Sequence, residues 1–129
     1  MKRSLVAVAL MTIAVVGVCA AQADSDSRVV EVWTCSLNEG KTQDDVQAAN
    51  SKWVKLQNDN VEGGDIRSFV LTSIVGNSDT FTYADSFPSM EAWMASKEVI
   101  KTEAGKAIEK ELTAVAKCSS NTLHESNES

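Results

Sequence analysis

The sequence predicts an α+β sandwich: an antiparallel sheet with helices on one face and elements in the order β-α-β-β-α-β. Two observations carry that expectation. Short runs of β-favouring residues, one of them strictly alternating, are separated by turn-forming residues. Two regions with apolar residues at helical spacing follow the first and third runs.

Arg28 to Leu37 is the first strand, with Val29, Val30, Val32 and Trp33 favouring extended backbone. Asn38-Glu39-Gly40 is a turn. Thr42-Gln43-Asp44-Asp45 then has the form of a capping box, in which the first and fourth residues satisfy each other's backbone donors. Behind it Val46, Ala49, Trp53 and Leu56 recur on one helical face, while Gln47, Asn50, Lys52 and Lys55 are polar. This helix ends near Asn58, before the break at Gly63-Gly64.

Ile66 to Val75 is the second strand. Gly76-Asn77-Ser78-Asp79 supplies hairpin residues. Thr80 to Phe87 is the third strand, with Phe81, Tyr83, Asp85 and Phe87 on one face. After Pro88-Ser89 the second helical region is broken in two, Met90–Lys97 and Thr102–Lys117. The second piece has Ala107, Ile108, Leu112, Val115 and Ala116 as its apolar stripe. Ser119 to Glu125 is a short last strand. This order is the split βαβ, or ferredoxin-like, arrangement.

In that topology the end of the first strand lies beside the start of the last. Cys35 and Cys118 occupy those places and are expected to form a disulfide; two free thiols are the alternative.

The first 23 residues read as a secretory signal peptide. Lys2 and Arg3 precede an apolar run from Leu5 to Val18, and Ala21-Gln22-Ala23 offers small residues for cleavage before Asp24. A run of 14 residues is short for a membrane span, which needs about 20. A lipid on Cys19 is disfavoured by bulky Val18 just before it. The expected product is a single periplasmic or secreted domain over 24–129.

Removing 23 of 129 residues leaves 106. Lys2 and Arg3 leave too, so 10 of the 12 basic residues stand against all 18 acidic ones, a net charge of −8. That charge repels phosphate backbones and anionic lipid, so neither nucleic acid nor a membrane is an expected partner. There is no C-x-x-C, His124 is the only histidine, and Asp24-Ser25-Asp26 and Asp44-Asp45 are too short for calcium. No metal or cofactor is expected. Nucleophile-elbow, phosphate-loop and dinucleotide patterns are missing as well.

The stretch Phe81-Thr-Tyr-Ala-Asp-Ser-Phe-Pro-Ser-Met-Glu-Ala-Trp93 resembles the dimeric α/β-barrel superfamily, and within it the antibiotic-biosynthesis-monooxygenase-like domains. There an aromatic-ended strand runs into a helix start carrying a Trp or Phe, and the helix then breaks and resumes. The resemblance implies a homodimer whose open sheet faces pack together. It also implies three candidate activities: cofactor-independent oxygenation, haem degradation, or none known. The haem-degrading branch uses an Asn on the first strand, a Trp early in the second helical region and a later His. Trp93 matches, but Thr34 stands at the first position and Ala104 near the last, so no haem site is expected.

The candidate binding residues are Trp33, Tyr83, Asp85 and Trp93. Trp33 and Trp93 line a ligand pocket or fill core and dimer contacts; Trp53 reads as core. Tyr83 and Asp85 form a polar pair on an aromatic strand face. They mark a cavity floor, or else Asp85 points to solvent or caps the next helix. His124 reads as an exposed tail residue rather than a base. Dimerisation is expected from the sheet itself. Val30 and Val32 lie on one side of the first strand, Val29 and Trp33 on the other, and Phe69 and Leu71 oppose Val70 and Ile74 on the second. Both faces are therefore too apolar for one of them to be wet.

The leading expectation is a ligand-binding or interaction module for a small hydrophobic or aromatic molecule. The rival is a cofactor-independent monooxygenase-like enzyme acting on a small aromatic substrate. The enzyme requires a pocket into which Tyr83, Asp85 or His124 points.

Overall fold

The computed structural model describes residues 27–76 and 79–129. The expected signal peptide, its Ala23–Asp24 junction and the hairpin pair 77–78 lie outside the described residues. The elements are β1 (Arg28–Leu37), α1 (Gln43–Asn60), β2 (Arg67–Thr72), β3 (Phe81–Phe87), α2 (Met90–Lys101), α3 (Glu103–Val115) and β4 (Ala116–Ser126). The strands form one antiparallel sheet in the order β2-β3-β1-β4. This is the ferredoxin-like arrangement, with the three helices on one face.

Local chemistry accounts for the helix starts. Thr42 and Asp45 close the capping box at α1, the Asp45 carboxylate accepting from the Thr42 amide at 2.9 Å. Ser89 caps α2 by accepting from the Ala92 amide at 3.1 Å. Thr102 makes the break between α2 and α3: its hydroxyl donates to the Val99 carbonyl and accepts from the Gly105 amide. α2 therefore runs on to Lys101, one turn beyond the expected Lys97. Gly105 sits where helix meets helix, since a Cβ there would lie 2.3 Å from the Val99 carbonyl oxygen.

Several boundaries differ from expectation. β2 ends at Thr72, where its pairing with Phe81 ends. Ile74 and Val75, expected in the strand, are 99% and 91% exposed in the connection. α3 stops at Val115 and β4 runs from Ala116 to Ser126, longer than the expected 119–125 segment. The cause is Asn38. Its side-chain amide donates to the Thr113 and Ala114 carbonyls, and its backbone amide to that of Val115, so the helix end is capped from the β1–α1 turn. The buried line of α1 is Val46, Ala49, Asn50, Trp53 and Gln57. Asn50, read as polar surface, faces inward, and Gln57 is buried beside Leu56, which packs half-buried against the core. On α3 Ala107 is exposed.

Cys35 pairs with Cys118 in the β1–β4 ladder and the two form a disulfide. On β1 and β3 the pairs Val29–Phe87, Glu31–Asp85, Trp33–Tyr83 and Cys35–Phe81 face the helices. Two clusters build the core. One surrounds Cys35, Val46, Phe81 and Val115; the other surrounds Trp53, Ile66, Phe87 and Val99. Leu112 packs against both. The opposite sheet face carries Val30 and Val32 of β1, Ala84 of β3 and, on β2, Phe69 and Leu71, each of the last two 52% exposed.

Candidate functional site

Between the two core clusters lies a cavity of about 640 Å³. Trp33, Tyr83 and Asp85 line it from the sheet, and Trp53, Lys97 and Leu112 from the helices. It reaches the surface where exposed Glu109, Thr113 and Lys117 border it. Alternation on β3 puts Tyr83 and Asp85 on the helix side, and antiparallel register sets them against Trp33 and Glu31 of β1. The cavity-floor alternative for the Tyr83–Asp85 pair is the one observed. Asp85 is only 6% exposed, and the adjacent α2 is capped by Ser89 instead.

The polar groups here are unequally satisfied. Glu31 is 3% exposed, yet one of its oxygens accepts from Asn121 at 2.9 Å. The other accepts from the Trp93 indole at 3.2 Å and forms an ion pair with Lys97 at 2.5 Å. The Lys97 ammonium also lies 5.2 Å from the Trp93 ring centre and 5.9 Å from that of Trp33. Asp85 accepts from Ser68 at 2.5 Å, and Ser68 in turn accepts from Asn50 at 2.9 Å. Burial pushes the Asp85 carboxyl up to about 7; the Ser68 hydrogen bond opposes this, and the neighbouring Glu31 charge adds to it. The Tyr83 hydroxyl is buried without a hydrogen-bond partner. Burial, and next the Asp85 charge, raise its pKa to about 12, so it stays a neutral phenol.

Trp93 does not line the main cavity. It stands at the rim, tied to Glu31, and borders a shallower groove with Met94 and Lys97. His124 lies elsewhere: it is exposed on β4 opposite Val30, on the open sheet face, with its Nε2 2.7 Å from the Thr122 hydroxyl. Cys118 lines the cavity, so the disulfide braces one wall.

Sequence reasoning missed Glu31, Ser68, Asn50 and Lys97. Glu31 carried a usable signal, since it alternates with Val29, Trp33 and Cys35 on the inward side of β1. Among the described residues no group of three His, Cys, Asp or Glu side chains is placed to hold a metal ion, and no helix is long and apolar enough to cross a membrane.

This fold recurs in solved structures. SnoaB, a cofactor-independent oxygenase from Streptomyces nogalater, superposes with a TM-score of 0.60 at 9% identity, over 80% of this chain and 96% of that one. The chain has the ferredoxin-like fold. A putative antibiotic biosynthesis monooxygenase from Caulobacter crescentus gives a TM-score of 0.54 at 12% identity, covering 80% and 91% of the two chains. A dimeric ferredoxin-like protein of unknown function from Thermobifida fusca gives 0.51 at 10% identity, covering 79% and 92%. No family model and no curated protein matches the sequence. The likeness is one of fold, and the chemistry has to be argued from this chain's own residues.

Proposed function

We propose that this chain is an exported homodimeric domain that binds a small, largely apolar aromatic molecule between its sheet and its helices. The observation that carries the reading is the cavity of about 640 Å³ lined by Tyr83, whose hydroxyl is buried without a partner. A buried polar group without a partner is costly, and a ligand atom that pairs with it recovers that cost. Aromatic walls with a few convergent polar groups are the usual make-up of a small-molecule site. Trp33, Trp53, Tyr83 and Asp85 are its binding residues, and Trp93 supports the rim through Glu31.

Export is supported by the tripartite segment 1–23 and by the Cys35–Cys118 disulfide, which suits an oxidising compartment. Dimerisation is supported by the apolar open face around Val32, Phe69 and Leu71, and by the dimeric Thermobifida fusca protein of the same fold. The test is a thermal-shift titration with neutral aromatic compounds. Binding raises the melting temperature with ligand concentration by mass action. A flat response across phenol-, indole- and naphthalene-sized compounds would refute the reading.

One observation favours a second reading, a cofactor-independent oxygenase. A buried carboxyl with a pKa near 7 suits proton abstraction from a phenolic or enolic substrate, with oxygen as co-substrate. Oxygen uptake that is lost in Asp85→Asn supports it. Binding without uptake leaves the chain as a carrier.

A further inference from the structure

We propose that the cavity selects a protonated aromatic amine, with its ring against Trp33 and Trp53 and its ammonium directed to the Asp85 carboxylate and the Tyr83 hydroxyl oxygen. The inference rests on the ligand-binding reading above and narrows it to a chemical class.

Two neighbouring carboxyl groups of the cavity are unequally partnered. Glu31 and Asp85 are register partners on β1 and β3, and both are buried. Glu31 has a cation: Lys97 pairs with it while lying near the faces of two tryptophans. The chain itself thus shows how an ammonium is held at this cavity, by a buried carboxylate and aromatic faces together. Asp85 has a similar setting but no ion-pair partner of its own, since Lys97, whose charge reaches it, is paired with Glu31. Its neighbours are the neutral Ser68 and Asn50 on one side and the cavity on the other. Beside it the Tyr83 hydroxyl, in a side chain 7% exposed, has no partner. One donor-rich group entering between them would satisfy both, and an ammonium has three donors.

An anion is disfavoured at this end, because it would meet Glu31 and Asp85 together. A neutral hydroxyl can satisfy Tyr83 but forms no ion pair with Asp85. The titratable and charged groups facing Asp85 are Glu31 from β1, Tyr83 from its own strand and Lys97 from α2. A ligand cation therefore shifts Asp85 toward its charged form, and binding near neutral pH releases a proton.

The experiment compares 2-phenylethylamine, 2-phenylethanol and phenylacetate, three probes of nearly one shape and three charges. Each is titrated into the wild-type protein by calorimetry near neutral pH in two buffers of different ionisation enthalpy. The amine is expected to bind at least about tenfold more tightly than the alcohol, as a charge-assisted hydrogen bond at a buried site gives. Its heat should depend on the buffer in the sense of proton release. Asp85→Asn, which keeps the shape and the Ser68 hydrogen bond, should bring the amine and the alcohol to similar affinities. Alcohol or phenylacetate binding as tightly as the amine overturns the inference and leaves the cavity a ligand site. No binding by any of the three removes both readings. The wild-type comparison stands whatever the stability of the variant.

Discussion

Glu31 and Asp85 face each other across the β1–β3 ladder, both buried and both on the helix side. Lys97, Trp93 and Asn121 converge on the first, whereas Ser68 donates to the second. That inequality sets the electrostatics of the cavity.

Asp85 makes stability fall with rising pH. Burial raises its folded pKa from 3.8 to about 7. The protonated form is favoured in the folded state, so its contribution is fully present below the unfolded pKa and is lost as pH rises toward 7. At about 1.4 kcal/mol per pH unit, the gap amounts to roughly 4 kcal/mol, an upper figure if the site relaxes. Asp85→Asn should unfold at higher denaturant than wild type at pH 8 and lose much of this slope. Parallel stability profiles for the two proteins between pH 4 and 8 would contradict it.

Lys97→Met removes the cation from a carboxylate that is 4% exposed at its side chain. Breaking a fully buried pair costs about 3–5 kcal/mol. Lys97 itself is 38% exposed, so screening reduces the expected loss to about 1–2 kcal/mol. Lys55→Met is the control. Its pair with Asp59 has side chains 76% and 57% exposed, and the change should cost under about 0.5 kcal/mol. Equal losses in urea unfolding would argue against the buried pair.

Gly105→Ala should destabilise the junction of α2 and α3. The added methyl would lie 2.3 Å from the Val99 carbonyl oxygen and 2.5 Å from the Ile100 Cα, both backbone atoms that cannot swing away. A loss of about 1–3 kcal/mol is expected, as for overpacking elsewhere. An unchanged melting temperature would show that the helix pair slides at no cost.

Cys35 and Cys118 are 83 positions apart, and the disulfide closes that loop. Their cross-link contributes roughly 4 kcal/mol on the chain-entropy account. Neither cysteine should react with an alkylating reagent without reduction. Reduction should lower the melting temperature and release β4, which pairs with β1 alone.

Leu71→Lys, in a side chain 52% exposed on the open face, should shift the protein from dimer to monomer in light scattering. It lies across the sheet from the cavity, so ligand binding by the monomer should persist. A wild-type mass of one chain at micromolar concentration would remove the dimer instead.

The sequence made the local determinants legible. The Thr42–Asp45 box and the alternation of Phe81, Tyr83, Asp85 and Phe87 depend on neighbours a few residues away, and both are seen in the structure. The cysteine pairing followed from topology. What escaped depends on distant partners. The stop of α3 comes from Asn38, 75 positions earlier than Thr113. Glu31 sits in an apolar strand as though solvated, and its partners Trp93 and Lys97 come from α2. Asn50 looked like surface because a polar side chain reads as exposed until its buried partner is known. The cavity was legible on its sheet side, at Trp33, Tyr83 and Asp85, but not on its helix side, where Trp53 read as core and Lys97 and Leu112 come from distant elements.

The ligand site is tested most directly by a two-dimensional NMR titration of the wild-type protein with neutral 2-phenylethanol, reading the backbone amide and the three indole N–H signals. Trp33 and Trp53 line the cavity, whereas Trp93 stands at its rim with its N–H held by Glu31. Saturable shifts of the Trp33 and Trp53 signals, larger than that of Trp93, are the predicted result. No saturable shift, or shifts confined to Val32, Phe69 and Leu71 on the open face, would contradict a ligand site between sheet and helices.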